Sequence, residues 1–191
     1  RHVGNVPIIG GIAMFIGIIA GLVVFGVANN VTISLAFAYF LLVVIGALDD
    51  KFGVAASVRV LVQVAAVLIL AYGTKWYLQS IGDPFGQGTI DHRSLVGTLV
   101  VALTVINAYN LVDGVDGLAG ILALVALMAV SIAGGFAATS TAIALIVAGS
   151  TIGFLLFNFP VVINRSVRTF MGDAGSTMLG FTIFWVTLGV S

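Results

Sequence analysis

The aspartates of this chain are concentrated in three short segments, where they stand beside glycines and asparagines. Glutamate and cysteine are both absent from the 191 residues, and only Asp83 and Asp91 lie outside these segments. Carboxylate oxygens are the ligands that a hard cation prefers, and glycines let backbone approach a polyphosphate closely. We therefore expect phosphate chemistry assisted by Mg²⁺, for which Mn²⁺ could substitute.

The first segment ends a long apolar run with two adjacent carboxylates, Asp49 and Asp50. Adjacent carboxylates repel each other, so their joint ionisation requires water, a cation or a basic partner. Lys51 and Arg59 are close enough in sequence to provide one. The pair is consistent with a catalytic role and also with the polar end of a helix, and the sequence leaves both interpretations open.

The second segment carries four polar candidates at a spacing of three residues. They are Asn107, Asn110, Asp113 and Asp116. Each such step turns the side chain by about 60 degrees on a helix, which would send Asp116 to the opposite face. Gly114 and Gly117 allow the backbone to unwind and keep the four side chains together. An Asx-rich turn between helices is the alternative, whereas an EF-hand is excluded because no glutamate closes the loop.

The third segment runs from Phe170 to Ser176 and contains Gly172 and Asp173. Backbone amides at a helix N-terminus beside glycines form an anion site. Asp173 could hold the cation that accompanies a phosphate. The same Gly-Asp-x-Gly-Ser pattern also makes an ordinary helix cap, so its weight comes from the carboxylates of the other two segments.

Long apolar runs separate the three segments and must position them. The chain is 61% hydrophobic and 7% charged, against about 25% charged residues in a soluble domain. Seven runs are candidates for spans: Ile8 to Ala28, Val31 to Leu48, Val58 to Thr74, Leu95 to Leu111, Leu118 to Ala133, Ala142 to Phe159, and Thr177 to Ser191. Because a bilayer cannot satisfy open backbone, we predict an all-α polytopic transmembrane helix bundle. Residues 1–191 would form one domain of a longer multi-pass enzyme.

Alternation of these spans places all three aspartate segments on one side of the membrane. Five of the seven basic residues fall on that side: Arg1, Lys51, Arg59, Arg165 and Arg168. The positive-inside rule then predicts a cell inner membrane protein whose polar site faces the cytoplasm. The formal net charge is zero, so we expect no nucleic-acid partner.

The three segments, in this order and on alternating spans, resemble the polyprenyl-phosphate N-acetylhexosamine-1-phosphate transferases. The resemblance rests on Asp49-Asp50, the NAYNLVDGVDGLAG run and FMGDAGS, and it extends back to His2 and the Pro7-Ile-Ile-Gly-Gly run. Val112 and Ala174 resemble the branch that transfers GlcNAc 1-phosphate. The alternative is the branch that transfers phospho-MurNAc-pentapeptide, which usually has Thr at both positions.

This resemblance implies transfer of GlcNAc 1-phosphate from UDP-GlcNAc to undecaprenyl or decaprenyl phosphate. The products would be polyprenyl-diphospho-GlcNAc and UMP, in the first step of a cell-envelope glycan pathway. The implied partners are the UDP-sugar, the polyprenyl phosphate and the lipid bilayer, and a homodimer is left open.

The resemblance also assigns roles to residues. The catalytic carboxylates would be Asp49, Asp50, Asp113 and Asp116, and the metal ligands Asp173 and Asn110, with one of the Asp49-Asp50 pair as the alternative second ligand. The substrate-binding residues would be Arg59, Asn107, Phe170, Gly172, Ser176 and His2. Arg59 would hold the lipid phosphate, with Lys51 as the alternative, and Phe170 would stack on uracil while Asp116 accepts from its N–H.

Two other classes of protein compete with an enzyme. A transporter or channel should carry its functional carboxylates within the spans or at a midplane site, whereas these lie at the ends of apolar runs. A non-catalytic membrane assembly protein would leave the three aspartate segments unexplained. Both are therefore less favoured than a transferase.

Overall fold

The computed structural model describes residues 6–27, 29–78, 95–134, 139–159 and 168–189. All regular structure within these ranges is α-helical, which confirms the predicted all-α class. The helices are α1 Gly10–Val24, α2 Asn30–Phe52, α3 Ala56–Thr74, α4 Leu95–Val112, α5 Leu118–Ala133, α6 Thr139–Asn158 and α7 Gly172–Leu188.

Within the described part of the chain, four helices are long and apolar enough to cross a membrane. They are α2, α3, α4 and α6. Helices α1, α5 and α7 have 15, 16 and 17 residues, so the expected number of about seven spans was too generous. The first apolar run was predicted as Ile8 to Ala28, but α1 ends at Val24. Gly26 has a left-handed φ of 64° just after this helix.

Helix α7 is the centre of the bundle and packs against α1, α2, α4, α5 and α6. Nearly all of its residues from Ala174 to Val186 are buried. A buried polar contact joins it to α2, where the Tyr39 hydroxyl and Thr182 Oγ1 lie 2.7 Å apart. The first turn of α7 carries Asp173, so this carboxylate is mounted on the most enclosed element of the described fold.

Small residues bring α1 and α2 against the first turn of α7. A Cβ on Gly46 of α2 would overlap the backbone of Ala174, and one on Gly11 of α1 would overlap the backbone of Gly175. Small residues at such crossings let helix backbones approach closely. The close approach fixes the end of α2, with its two aspartates, beside the start of α7.

The chain before α1 is bonded to the segment that leads into α7. The amides of Gly10 and Gly11 donate to the carbonyl oxygens of Phe170 and Met171 at 2.9 Å, and the amide of Phe170 donates to Pro7 at 3.0 Å. These bonds hold Phe170 and the following Gly-Asp pair in a defined place.

Candidate active site

A cavity of about 490 Å³ lies where α2 and α4 end and α7 begins. Its lining includes members of all three aspartate segments: Asp50, Asn110, Asp113, Gly114, Asp116, Gly117, Phe170, Gly172 and Asp173, with Ile8, Leu111, Val115, Asn158 and Met171. Three segments that are distant in sequence therefore share one acidic cavity. The chemical roles assigned to their residues stay predictions, and the contacts show how each side chain is held.

Asp173 is held by partners on α3 and α4. Its Oδ1 accepts from Asn110 Nδ2 at 2.8 Å, and its Oδ2 accepts from Arg59 Nη1 at 3.1 Å. Asn110 Nδ2 also contacts Ser176 Oγ at 3.1 Å, and that hydroxyl donates to the carbonyl oxygen of Gly172. Ser176 is fully buried. In this structure its hydroxyl therefore contacts other protein groups and helps to orient Asn110.

Asp50 is bonded to the N-terminus of α7. Its Oδ1 accepts from the amide of Asp173 at 3.0 Å, and the amide of Ala174 is a second donor. Gly172 has a left-handed φ of 70°, and a Cβ there would overlap the Asp50 carboxylate. The sequence predicted that these helix amides would bind a ligand phosphate, but in the structure the anion that they hold is the protein's own Asp50. The charge of Asp50 is thus compensated by the amides at the start of α7, which are distant in sequence.

Asp49 has a different set of partners from its neighbour. Its Oδ1 accepts from the amide of Val54 at 2.6 Å, and its Oδ2 accepts from Arg59 Nη1 at 2.5 Å. It thus closes the turn between α2 and α3 and ties Arg59 down. Arg59 bridges Asp49 and Asp173, while its side chain remains 35% exposed.

Asn107 lies deeper in the bundle than the other candidates. Its Nδ2 donates to Gln63 Oε1 at 2.9 Å and to the Leu103 carbonyl oxygen at 2.8 Å. Gln63 is only 3% exposed. A small internal gap beside this amide pair is also lined by Arg59, Asn110 and Asp173. Asn107 therefore packs beneath Arg59, Asn110 and Asp173 and is bonded to other protein groups. Its contact with substrate stays a prediction.

The turn between α4 and α5 unwinds as the glycine pattern predicted. Helix α4 ends at Val112, and Gly117, with a φ of 74°, precedes the first residue of α5. A Cβ on Gly117 would come within 2.6 Å of the Phe159 ring, so a larger residue is excluded by space as well as by backbone conformation. The turn places Asp113 and Asp116 on the wall of the cavity.

Asp113 is subject to the negative charges of other aspartates that line the cavity. Burial, and then the negative charges of Asp173, Asp50 and Asp116, raise the pKa of its carboxyl to about 7. No basic side chain forms an ion pair with it among the described residues. A proton or a cation would relieve this accumulation of charge.

Asp116 is paired with Arg168, which lies just before α7. Arg168 Nη2 donates to Asp116 Oδ2 at 2.5 Å and to the Asn158 carbonyl oxygen at 3.3 Å. The sequence left two interpretations open for Arg165 and Arg168, which could reach the diphosphate or lie near anionic lipid headgroups. Two other candidates, His2 and Arg165, lie outside the described residues.

The donor atoms around the cavity fit a hard cation. They are carboxylate and amide oxygens, and the negative charges of nearby carboxylates raise the pKa of Asp113, which has no ion pair in the described chain. No three acidic or histidine side chains of the described ranges lie close enough to form a ready ligand cage. A site with one or two protein carboxylates and several waters agrees with both observations, and this is the coordination that Mg²⁺ prefers.

Two residues of the site have signals in the sequence that went unused. Gln63 is a lone amide within an apolar span, four residues after Arg59 and so on the same helix face. Asn158 ends α6 and lines the cavity, and its buried Oδ1 has no hydrogen-bond partner in the described part of the chain. Both could have been found by asking which polar residues interrupt an apolar run.

The helices and the acidic cavity at one end of the bundle define a membrane protein with a polar site at helix termini. The profile of glycosyl transferase family 4 matches residues 31–191. The chain therefore belongs to glycosyl transferase family 4, and the resemblance drawn from its motifs is confirmed.

Three relatives illustrate the similarity. The chain is 35% identical over 196 residues to the undecaprenyl-phosphate alpha-N-acetylglucosaminyl 1-phosphate transferase of Escherichia coli. It is 36% identical over 195 residues to the protein of the same name in Yersinia pestis, and 35% identical over 197 residues to a probable undecaprenyl-phosphate N-acetylglucosaminyl 1-phosphate transferase of Bacillus subtilis. Each alignment covers 98% of this chain and 52% of the relative. The chain thus spans about half the length of these curated relatives.

Proposed function

We propose that the protein transfers GlcNAc 1-phosphate from UDP-GlcNAc to a polyprenyl phosphate and releases UMP. The observation that carries the proposal is the meeting of three aspartate segments at one cavity. The relatives described above are named for a GlcNAc 1-phosphate transfer to undecaprenyl phosphate. Their names favour this reaction over transfer of phospho-MurNAc-pentapeptide.

The chemistry requires little from the protein beyond positioning and charge compensation. A phosphate monoester has its second pKa near 6, so the lipid phosphate is mostly dianionic at neutral pH. One of its oxygens attacks the phosphorus that carries the sugar. The bond between that phosphorus and the bridging oxygen breaks, and UMP leaves with the electron pair. As in other phosphoryl transfers, catalysis then consists of in-line alignment and stabilisation of charge.

Asp173 and Asn110 are the residues that we propose hold Mg²⁺, with Mn²⁺ as a substitute. When bound, the ion would neutralise the diphosphate oxygens and orient them. Asn110 presents its amide nitrogen to Asp173, and a half-turn of the amide would present its oxygen instead. Asp50 is engaged by the amides of α7 and Asp49 by Arg59 and Val54. For this reason we favour Asn110 over the Asp49-Asp50 pair as the second ligand.

The substrates would lie on two sides of this ion. Arg59 is partly exposed and contacts Asp173. Its guanidinium therefore lies beside the proposed metal ligand, where it would hold the phosphate of the lipid. Phe170 and Asp116 line the cavity, which Arg59 does not, and there they would hold the nucleobase. Among the described basic residues, Lys51, Arg59 and Arg168 lie at this end of the bundle and Lys75 at the other. This distribution supports a site on the cytoplasmic face of the inner membrane.

The orientation has a direct test. Ser57 is exposed in the first turn of α3, two residues before Arg59. A Ser57→Cys protein should react with an impermeant maleimide in inside-out vesicles and should not react in intact cells. Labelling in intact cells would place the site on the outer face and contradict the assignment.

The function is tested by UMP release from UDP-GlcNAc by membranes that contain the full-length protein and polyprenyl phosphate. Asp173→Asn should lower turnover by roughly a hundredfold, because loss of a charge-stabilising metal ligand costs several kcal/mol. Added Mg²⁺ or Mn²⁺ should recover part of this loss, while Asp83→Asn, outside the three segments, should change little. No UMP release by the unaltered protein would refute the function, and full release by Asp173→Asn at limiting Mg²⁺ would refute the ligand assignment alone.

A further inference from the structure

The Arg168 side chain connects the segment before α7 to the turn between α4 and α5. Its Nη2 donates to Asp116 Oδ2 at 2.5 Å and to the main-chain oxygen of Asn158 at 3.3 Å. Only 8% of the Arg168 side chain is exposed, against 34% of Asp116. The guanidinium is thus buried behind the carboxylate, and the carboxylate is the part that a ligand in the cavity can reach.

The ion pair uses one oxygen of Asp116 and leaves the other open. Oδ1 of Asp116 has no hydrogen-bond partner among the described residues, and Asp116 lines the cavity. Arg168 is therefore the contact that fixes the plane of the carboxylate.

Two buried polar atoms at the same place lack partners in the described structure. They are Nε of Arg168, which is a donor, and Oδ1 of Asn158, which is an acceptor. Buried polar groups are nearly always hydrogen-bonded, and exceptions call for an explanation. Asn158 lines the cavity, and Arg168 donates to its main-chain oxygen, so the two atoms without partners lie beside the space that a ligand would occupy.

We propose that Arg168 is a positioning residue for the nucleotide, acting through Asp116. This inference rests on the function proposed above and names the residue that sets its base recognition. Arg168 holds Asp116 Oδ2 so that Oδ1 accepts an N–H from a nucleobase imide, the group that uracil carries. Cytosine has an acceptor nitrogen at the corresponding ring position, so a fixed carboxylate oxygen disfavours it.

The two residues must then be strongly coupled. Loss of Arg168 frees Asp116 to rotate, and loss of the Asp116 charge leaves a buried guanidinium without its counter-ion. A residue that acts only through another has no further effect once the other is gone. A double-mutant cycle therefore separates this role from general support of the fold.

The experiment measures UMP and CMP binding to the purified full-length protein by calorimetry. Arg168→Gln should weaken UMP binding about tenfold, the value of one well-placed charge-assisted contact. CMP binding should change by less than about twofold, so discrimination between the bases falls. Arg168→Lys should recover part of the UMP affinity. Lys75→Gln, which removes the same charge at the far end of α3, should bind both nucleotides like the unaltered protein.

The cycle with Asp116→Asn decides the proposal. In that background Arg168→Gln should change UMP affinity by less than about twofold. In turnover assays Arg168→Gln should raise the KM for UDP-GlcNAc and leave the KM for polyprenyl phosphate and kcat nearly unchanged. The same tenfold loss in both backgrounds, or equal rises in both KM values, would overturn the role of Arg168 and leave the proposed function standing. Failure of the unaltered protein to bind UMP while it stays folded would instead overturn the proposed function, and this inference with it.

Discussion

Replacement of Asp50 should destabilise the protein through the first turn of α7. The Asp50 carboxylate accepts from the amides of Asp173 and Ala174, which otherwise have no partner within their own helix. Asp50→Ala removes both the acceptor and its charge. Asp50→Asn keeps an acceptor oxygen and removes the charge alone.

The size of each effect follows from these contacts. Loss of a capping side chain costs about 0.5–2 kcal/mol, and loss of a negative charge at a helix N-terminus costs about 0.3–1 kcal/mol. Asp50→Asn loses the charge alone and should therefore lower the free energy of unfolding by about 0.3–1 kcal/mol. Asp50→Ala should lower it by about 1–3 kcal/mol when the two terms are combined.

Thermal unfolding in detergent would compare the stability of the full-length unaltered protein with that of Asp50→Asn and Asp50→Ala. Gly172→Ala offers a matched test, because its Cβ would overlap the Asp50 carboxylate and its φ is 70°. Gly172→Ala should be less harmful in an Asp50→Ala protein. There the overlap with the carboxylate is gone, and the contact with Ile8 Cγ2 and the backbone strain of about 1–2 kcal/mol remain. Equal stability of Asp50→Ala and the unaltered protein, or strict additivity with Gly172→Ala, would refute the assignment of Asp50 as the cap of α7.

Three further predictions concern the pH dependence, the lipid phosphate and the helix packing. Because the pKa of Asp113 is raised to about 7, its contribution to stability is present below about pH 4 and is lost as the pH rises through about 7. Asp113→Asn should remove this dependence of the melting temperature on pH. An unchanged pH dependence in the variant would contradict the prediction. Arg59→Ala should raise the KM for polyprenyl phosphate several-fold more than that for UDP-GlcNAc, and equal rises would exclude the contact. Gly46→Ala should destabilise the protein by about 1–3 kcal/mol, whereas Gly149→Ala, whose Cβ meets nothing within 4 Å, should be neutral or stabilising.

The sequence was sufficient for the class of fold and for the meeting of the aspartate segments. Apolar runs predict helices because backbone in a bilayer must bond to itself, and their alternation brings the ends of α2 and α4 to the start of α7. The lengths of the helices could not be predicted as well, because an apolar residue gives the same signal inside a helix and beyond its end. The run near the start of the chain continues past Val24, where α1 stops before Gly26.

The partners of the charged residues could not be read from the pattern. Asp49 and Asp50 are adjacent in sequence and yet serve different elements, since one bonds to α3 and the other to α7. Charge alone does not reveal which amide or guanidinium a carboxylate will meet. The same holds for Arg168, whose partner Asp116 is 52 residues away. Such pairings depend on the close approach of backbones, which is set by single glycines such as Gly46.

In the proposed reaction a sugar 1-phosphate is transferred, and not the sugar alone. The most direct test is to follow the two phosphorus atoms of UDP-GlcNAc into the products. The donor would be labelled with ³²P at the phosphorus attached to the sugar and incubated with the full-length protein, polyprenyl phosphate and Mg²⁺. We expect the label in the organic phase as polyprenyl-diphospho-GlcNAc, with unlabelled UMP in the aqueous phase. Label recovered in UDP, with the sugar alone on the lipid, would contradict the proposed reaction.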